Sequence, residues 1–264
     1  MAEWTRDTGR PPPELMRELV SWATTTFPRP PISRFRVGAV ALGGSGSLYF
    51  GGNLEFPGVG LGSSIHAEQS AVQNARAAGE TSLVAIATSA APCGLCRQFM
   101  NEIDGAADVI VHLPDGPSVP LAELLPRSFG PVDLGVPGGL LAPRANGLSV
   151  HPGTHDPLAA AALAAANAAY APYTDGFAGA ALAMNDGSVF VGALLENAAY
   201  NPTLTPVAAA LNQVALAGRD YAEIARAVLV EVNRAPATQL PVGRALLAAL
   251  CPAELQVHIA GVDV

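Results

Sequence analysis

The stretch Phe35-Arg36-Val37-Gly38-Ala39-Val40-Ala41-Leu42 alternates like a strand, Gly43 to Ser47 turns, and Leu48 to Gly51 returns. Two runs joined in this way read as a hairpin. Working outward, Ile65 to Ala78 has a helical period and is closed by Gly79, a usual helix stop. Leu83 to Thr88 is a continuous apolar run and reads as a buried strand. Pro92 to Ile103 reads as a second helix with proline in its first turn, where a missing N–H costs little. Val109 to Leu113 is another strand. The order strand, strand, helix, strand, helix, strand predicts an α/β domain of three layers, α/β/α. Upstream, residues 11 to 27 read as a short helix with Leu15, Leu19 and Trp22 on its apolar side, ended by Pro28, Pro30 and Pro31.

The second half repeats this plan. Pro157 to Tyr170 reads as a helix, Phe177 to Met184 as a strand, Asn185-Asp186-Gly187 as a turn and Ser188 to Val191 as its partner. Helix Pro206 to Ala217, strand Val228 to Val232, helix Val242 to Leu250 and strand Leu255 to Ile259 follow. Phe35-Arg-Val-Gly-Ala-Val-Ala can be written against Phe177-Ala-Gly-Ala-Ala-Leu-Ala. Glu55 follows Gly51 by four residues, as Glu196 follows Gly192. An internal duplication is the expectation. Residues 130 to 157, rich in Pro and Gly, read as a linker with some ordered loop.

Composition narrows the function. Half of the 264 residues are apolar and 14% are charged, which predicts a packed protein rather than a disordered one. The net charge is −8, and all 14 basic residues are arginines with no clustered run. Phosphate neutralisation needs clustered positive charge, so no nucleic-acid partner is expected. Met1 to Arg10 lacks an apolar signal core, and the longest apolar run, Leu158 to Ala169, is broken by Asn167, so no membrane partner is expected. Three cysteines, two of them in one Cys-x-x-Cys, do not describe a disulfide scaffold and fit a reducing cytoplasm.

The chemistry concentrates in His66-Ala67-Glu68 and Pro92-Cys93-Gly94-Leu95-Cys96. Two cysteines three apart at a helix start share a face, near the end of the helix that favours thiolates. Alone they could be a redox pair or two buried small residues. His66 opens a second helix, so two helix starts can aim at one point. One histidine and two cysteines make three ligands; structural zinc usually takes four, so three leave a position for water. Glu68, two residues from the histidine, can accept a proton without ligating.

His-x-Glu followed by Pro-Cys-x-x-Cys is the zinc deaminase signature. Together with Val37-Gly-Ala-Val-Ala, Gly52-Asn53-Leu54-Glu55-Phe56, His66-Ala-Glu-Gln-Ser-Ala and Pro92-Cys-Gly-Leu-Cys-Arg-Gln-Phe-Met-Asn-Glu, the chain resembles the free-nucleoside cytidine deaminases. The likeness is greatest to their two-domain form, in which the second domain is a degenerate copy. It covers nearly the whole chain and is strongest from Phe35 to Ile103.

The resemblance implies a Zn2+ cofactor on His66, Cys93 and Cys96, and Glu68 as the catalytic proton shuttle. It implies ribose binding by Asn53 and Glu55, Phe35 against the pyrimidine (unless it is simply core), and base contacts from the backbone N–H groups of Ala67 and Cys93. The implied reaction is hydrolysis of cytidine and deoxycytidine to uridine and deoxyuridine plus ammonia. Pyrimidine salvage, a cytoplasmic location and a homodimer come with it. The expected plan is a helical segment over 1–30, a catalytic domain over 31–130, a linker over 131–156 and a degenerate domain over 157–264. That second copy carries Leu194 at the position of Asn53 and has neither His nor Glu near Pro206, so it is expected to hold no zinc. His112, His151 and His155 read as structural or surface residues.

Overall fold

A computed structural model describes residues 13–150, 155–233 and 235–262. The expectations for Met1 to Arg10, and for His151, lie outside these residues. The chain forms two compact units. One comprises the residues up to Leu54 together with His66–Ala142; the other comprises Glu55–Ile65 and the residues from Pro143 onward.

The first unit runs α1 (Pro13–Thr26), β1 (Gly38–Gly43), β2 (Leu48–Gly52), α2 (Ala67–Ala77), β3 (Leu83–Thr88), α3 (Gly94–Met100), β4 (Ile110–His112), β5 (Ser118–Pro120) and α4 (Leu121–Leu124). Its sheet has the order β2-β1-β3-β4-β5. β1 is antiparallel to β2 and β3, β3 is parallel to β4, and β5 closes the far edge antiparallel. α1 lays Met16, Val20 and Ala23 on the sheet face formed by Val40, Leu42, Ala85 and Ala87. The helix is rotated from the expected one: Leu15 and Leu19 are only half-buried, and Trp22 is 50% exposed. Trp22 instead packs edge-on against Phe27 and Phe50. α2 covers the opposite face, because the Cβ that Gly51 lacks would stand 2.4 Å from the carbonyl of Ala67 and the N–H nitrogen of Ala71. Helices on both faces make the unit three-layered.

The second unit runs β6 (Leu148–Val150), α5 (Pro157–Asn167), β7 (Ala178–Met184), β8 (Val189–Ala193), α6 (Pro206–Leu216), β9 (Ile224–Val232), α7 (Leu240–Leu250) and β10 (Leu255–Val262). Its sheet order, β8-β7-β9-β10-β6 read from the hairpin edge, repeats the first. One strand differs in origin. The fifth position is filled after the fourth strand in the first unit, but by β6, which precedes α5, in the second. β6 falls where the sequence reads as linker; three residues between glycine- and proline-rich stretches give no detectable period.

The structure also corrects the register of the repeat. Ala39 pairs with Gly51 and Ala180 with Gly192, so through the hairpin the copies keep one offset and Gly38 matches Gly179. Phe35 therefore corresponds to Gly176, not to Phe177. Strand side chains have a period of two, so a one-residue slip exchanges the faces. In strands made of Ala, Gly and Val both faces look alike, and no pattern resists the slip.

Glu80 ties the first hairpin to β3. Its buried carboxylate accepts from Ser45 Oγ at 2.5 Å, Tyr49 Oη at 3.2 Å, and the N–H groups of Thr81 and Ser82 at 2.9 and 3.3 Å. Burial alone would raise its pKa, but these hydrogen bonds outweigh burial and hold it below the ordinary carboxylate value. A depressed carboxyl stabilises the fold above its unfolded pKa and loses that contribution as pH falls through the folded value. Glu80→Gln should therefore be less stable at neutral pH, and its loss of stability between pH 7 and pH 3 should be smaller than in the parent, as read by urea titration. Separately, Gly51→Ala should lower stability by about 1–3 kcal/mol through overpacking under α2. Gly261→Ala, with nothing within 4 Å, should stay within about 0.5 kcal/mol.

Candidate metal and active site

Two helices of the first unit begin at the same sheet end. His66 is the N-cap of α2 and Cys93 the N-cap of α3, both in extended conformation. The His66 N–H donates to Gln69 Oε1 at 3.1 Å, and the His66 carbonyl accepts from Ser70 N–H at 2.9 Å. The Cys93 carbonyl accepts from Arg97 N–H at 3.0 Å, so Cys96 comes round onto the first turn.

These caps bring three ligand atoms together. His66 Nδ1 lies 3.2 Å from Cys96 Sγ and 3.4 Å from Cys93 Sγ, and the sulfurs are 3.5 Å apart. A tetrahedral zinc with Zn–S near 2.3 Å and Zn–N near 2.0 Å has ligand edges of about 3.5–3.8 Å. The triangle is of that size, and imidazole with thiolates is a donor set zinc favours. Among the described residues this is the one group of three His, Cys, Asp or Glu side chains placed to hold a metal ion. Cys96 is buried, His66 half-buried and Cys93 exposed, so a fourth position can be reached from outside. The hydrogen bond from Cys96 pulls the Cys93 thiol down to about 4, while that same bond and burial push Cys96 up. Metal binding requires thiolates, so an ion held here would release thiol protons.

Glu68 sits beside the ligands in the first turn of α2 and is 3% exposed. Burial pushes its carboxyl above the ordinary range, while a backbone hydrogen bond and the neighbouring Cys96 and His66 pull the other way. Ala67, fully buried, is the first residue of α2, where the N–H has no partner within the helix. Asn53 follows β2 and is half-buried; its amide is bonded to the backbone of Phe35 and Val37. Phe35 is 63% exposed and so is not a core residue. Glu55 is half-buried and opens the 55–65 segment that groups with the second unit. His112 is buried, its Nδ1 2.6 Å from Ser118 Oγ, and His155 is exposed.

Two supporting residues escaped the sequence reading. Gln69 braces the N-cap; Gln three residues after a cap is half of a capping box, a signal that was available. Arg97 donates from Nε to the Pro92 carbonyl and from Nη1 to the Leu124 carbonyl, both at 2.8 Å. It holds the residue before Cys93 against the end of α4. Nothing in the sequence marks Leu124 as its partner.

In the second unit, α6 is capped by Thr205 and starts Pro206-Val207, where α2 has His66, Ala67 and Glu68. Val207 is 1% exposed and apolar. That helix start carries no group able to bind a metal or move a proton.

Known proteins resemble the chain in both halves. Residues 13–113 and 121–244 each match the family described as "Cytidine and deoxycytidylate deaminase zinc-binding region". The cytidine deaminase of Aeromonas hydrophila is 48% identical over 226 residues, which are 86% of this chain and 76% of that one. That of Yersinia pestis is 47% identical over 220 residues, 83% of this chain and 74% of that one. Among solved structures, cytidine deaminase from Mycobacterium tuberculosis is 32% identical, with a TM-score of 0.40, covering 44% of this chain and 96% of that one.

If the triangle holds zinc, purified protein should carry close to one zinc per chain by elemental analysis. Cys93→Ser and Cys96→Ser should each reduce this to a small fraction, with a lower melting temperature. Zinc retained at parent levels in both variants would remove these residues from the site.

Proposed function

The chain belongs to the zinc-dependent cytidine deaminase family, and from that premise we propose that it converts cytidine and deoxycytidine with water to uridine and deoxyuridine plus ammonia. The observation that carries this is the triangle of His66, Cys93 and Cys96 with the buried Glu68 beside it. His66, Cys93 and Cys96 are the zinc ligands. A zinc ion so held supplies Lewis acidity that makes a water easier to ionise. Two thiolates and a neutral imidazole balance its charge, so a separate base is needed.

Glu68 is that base. Its carboxylate takes one proton from the water as the water oxygen bonds to C4, and passes that proton to N3. It then takes the second proton from the hydroxyl now on C4 and gives it to the amine, so that the C4–N bond breaks, ammonia leaves and a C4 carbonyl remains. Low exposure suits the task, because a carboxyl shielded from solvent moves its proton only along the reaction path. The Ala67 and Cys93 N–H groups orient the base, and the exposed ring of Phe35 covers one of its faces. Asn53 and Glu55 take the ribose hydroxyls, since an amide and a carboxylate that expect those bonds reject a ligand without them.

The acidic composition supports a small uncharged substrate over a polymeric nucleic acid. Reduced cysteines as ligands suit a cytoplasmic enzyme of pyrimidine salvage. No helix among the described residues is long and apolar enough to cross a membrane. A homodimer is proposed in which the second unit has a structural task in place of chemistry.

Uridine formation should be assayed on cytidine, deoxycytidine and dCMP side by side. Both nucleosides should be turned over and dCMP poorly; a much faster reaction with dCMP would overturn the nucleoside reading. Glu68→Gln should keep its zinc and lose kcat by roughly 10²–10⁴-fold. An unchanged rate would remove Glu68 from the mechanism.

A further inference from the structure

Asn53 is tied into the first unit in a way that sugar binding does not require. Its Oδ1 accepts the Val37 N–H at 2.9 Å, and its Nδ2 donates to the Phe35 carbonyl at 2.9 Å. A backbone N–H can only donate and a carbonyl only accept, so this pair also fixes which way the amide faces. The Phe35 N–H is held in turn by Ser33 Oγ at 3.0 Å. Both polar groups of the Phe35 backbone are therefore occupied, beneath a ring that is 63% exposed. Gly38, which follows Val37 and opens β1, exchanges hydrogen bonds with Ser89, its N–H to Ser89 Oγ at 2.9 Å and its carbonyl from Ser89 N–H at 3.0 Å. Ser89 lies four residues before Cys93, so the pinned segment sits at the sheet end that carries the ligand triangle.

The second unit is an internal control. It repeats the backbone hydrogen bonds of the surrounding loop. Arg34 and Asp175 both take left-handed φ, at 58° and 51°, a region such residues seldom occupy. Arg34 N–H bonds Pro30 O as Asp175 N–H bonds Ala171 O. Asn53 N–H bonds Val37 O as Leu194 N–H bonds Ala178 O, and the carbonyls of Asn53 and Leu194 take the N–H of Arg29 and Tyr170. Gly176 N–H bonds Thr174 Oγ1 as Phe35 N–H bonds Ser33 Oγ. The amide clamp is missing: Leu194 has no side-chain donor or acceptor, and the residue matching Phe35 is Gly176. The loop thus folds without an amide clamp, and the clamp is found in the copy that has an aromatic ring to present.

We propose that Asn53 is a positioning residue, whose amide clamps the backbone of Phe35 and Val37 and so holds the Phe35 ring where it meets the pyrimidine. This rests on the role proposed above for Phe35. It is compatible with a sugar contact, because the clamp uses one N–H and one lone pair of the amide and leaves one of each.

The test uses Asn53→Leu, which imports the residue that the second unit carries in the same backbone. In the free protein, without substrate, exchange of the Val37 amide should quicken by roughly tenfold as its acceptor is lost. The Phe35 ring resonances should shift as well. Asn53→Asp keeps an acceptor for Val37, so that amide should be protected again while the bond to the Phe35 carbonyl is lost. In activity, the fall in kcat/KM caused by Asn53→Leu should be several-fold smaller in a Phe35→Ala background, since residues acting through one another are not additive. Unchanged Val37 exchange in Asn53→Leu, or equal losses in both backgrounds, would overturn the proposal. A parent protein that leaves cytidine untouched would sink the deaminase reading instead, and leave the exchange result standing.

Discussion

The site depends on how closely α2 lies against the sheet. Gly51 has no Cβ, and the space it frees is filled by the backbone of Ala67 and Ala71 at the start of that helix. His66, Ala67 and Glu68 are the cap and first turn of the same helix, so their height above the sheet is set by this contact. Cys93 and Cys96 come from α3, which begins after β3 ends. Only β1 separates β2 from β3 in the sheet, so the two helix starts meet at one sheet end and bring the side chains within a few ångströms. The arrangement obeys the general tendency of α/β sheets to bind ligands beyond strand ends where connections diverge.

The second unit separates scaffold from chemistry. Gly192 lies under α6 as Gly51 lies under α2, with Pro206 O and Ala210 N as near neighbours of the missing Cβ. Glu196, the counterpart of Glu55, is buried and accepts from Tyr173 N–H at 3.0 Å and from the Thr174 hydroxyl. The carboxylate there serves its own loop. Close helix packing, left-handed loop residues and cross-strand register are all kept, while Thr205 and Val207 stand where His66 and Glu68 do in the first unit. A fold of this kind needs glycine at a few contacts and apolar side chains elsewhere; it does not need a histidine or an acid at this helix start.

The hairpins, the helices after them and the duplication were readable because period and punctuation survive in the chain. The rotation of α1, the offset of the repeat and the strand β6 were not. Met16, Val20 and Ala23 compete with Leu15, Leu19 and Trp22 for the same face, and only the shape of the sheet decides between them. Alanine- and glycine-rich strands carry no contrast between faces. A three-residue strand exists only because a longer neighbour, β10, offers it a ladder.

The meeting of His66, Cys93 and Cys96 was legible in one dimension, since histidine and paired cysteines at that spacing sit at helix starts that local residues mark. What the three-dimensional fold decided was everything that depends on distant partners. The resemblance assigns Asn53 to the sugar, and the fold in addition ties its amide to the backbone of Phe35 and Val37. Arg97 reads as an ordinary helix residue, and the fold sets it between Pro92 and Leu124. Side-chain type and spacing state which chemistry is available; hydrogen bonds between residues far apart in the chain come into being only when the sheet closes, so only the folded chain determines where that chemistry is aimed.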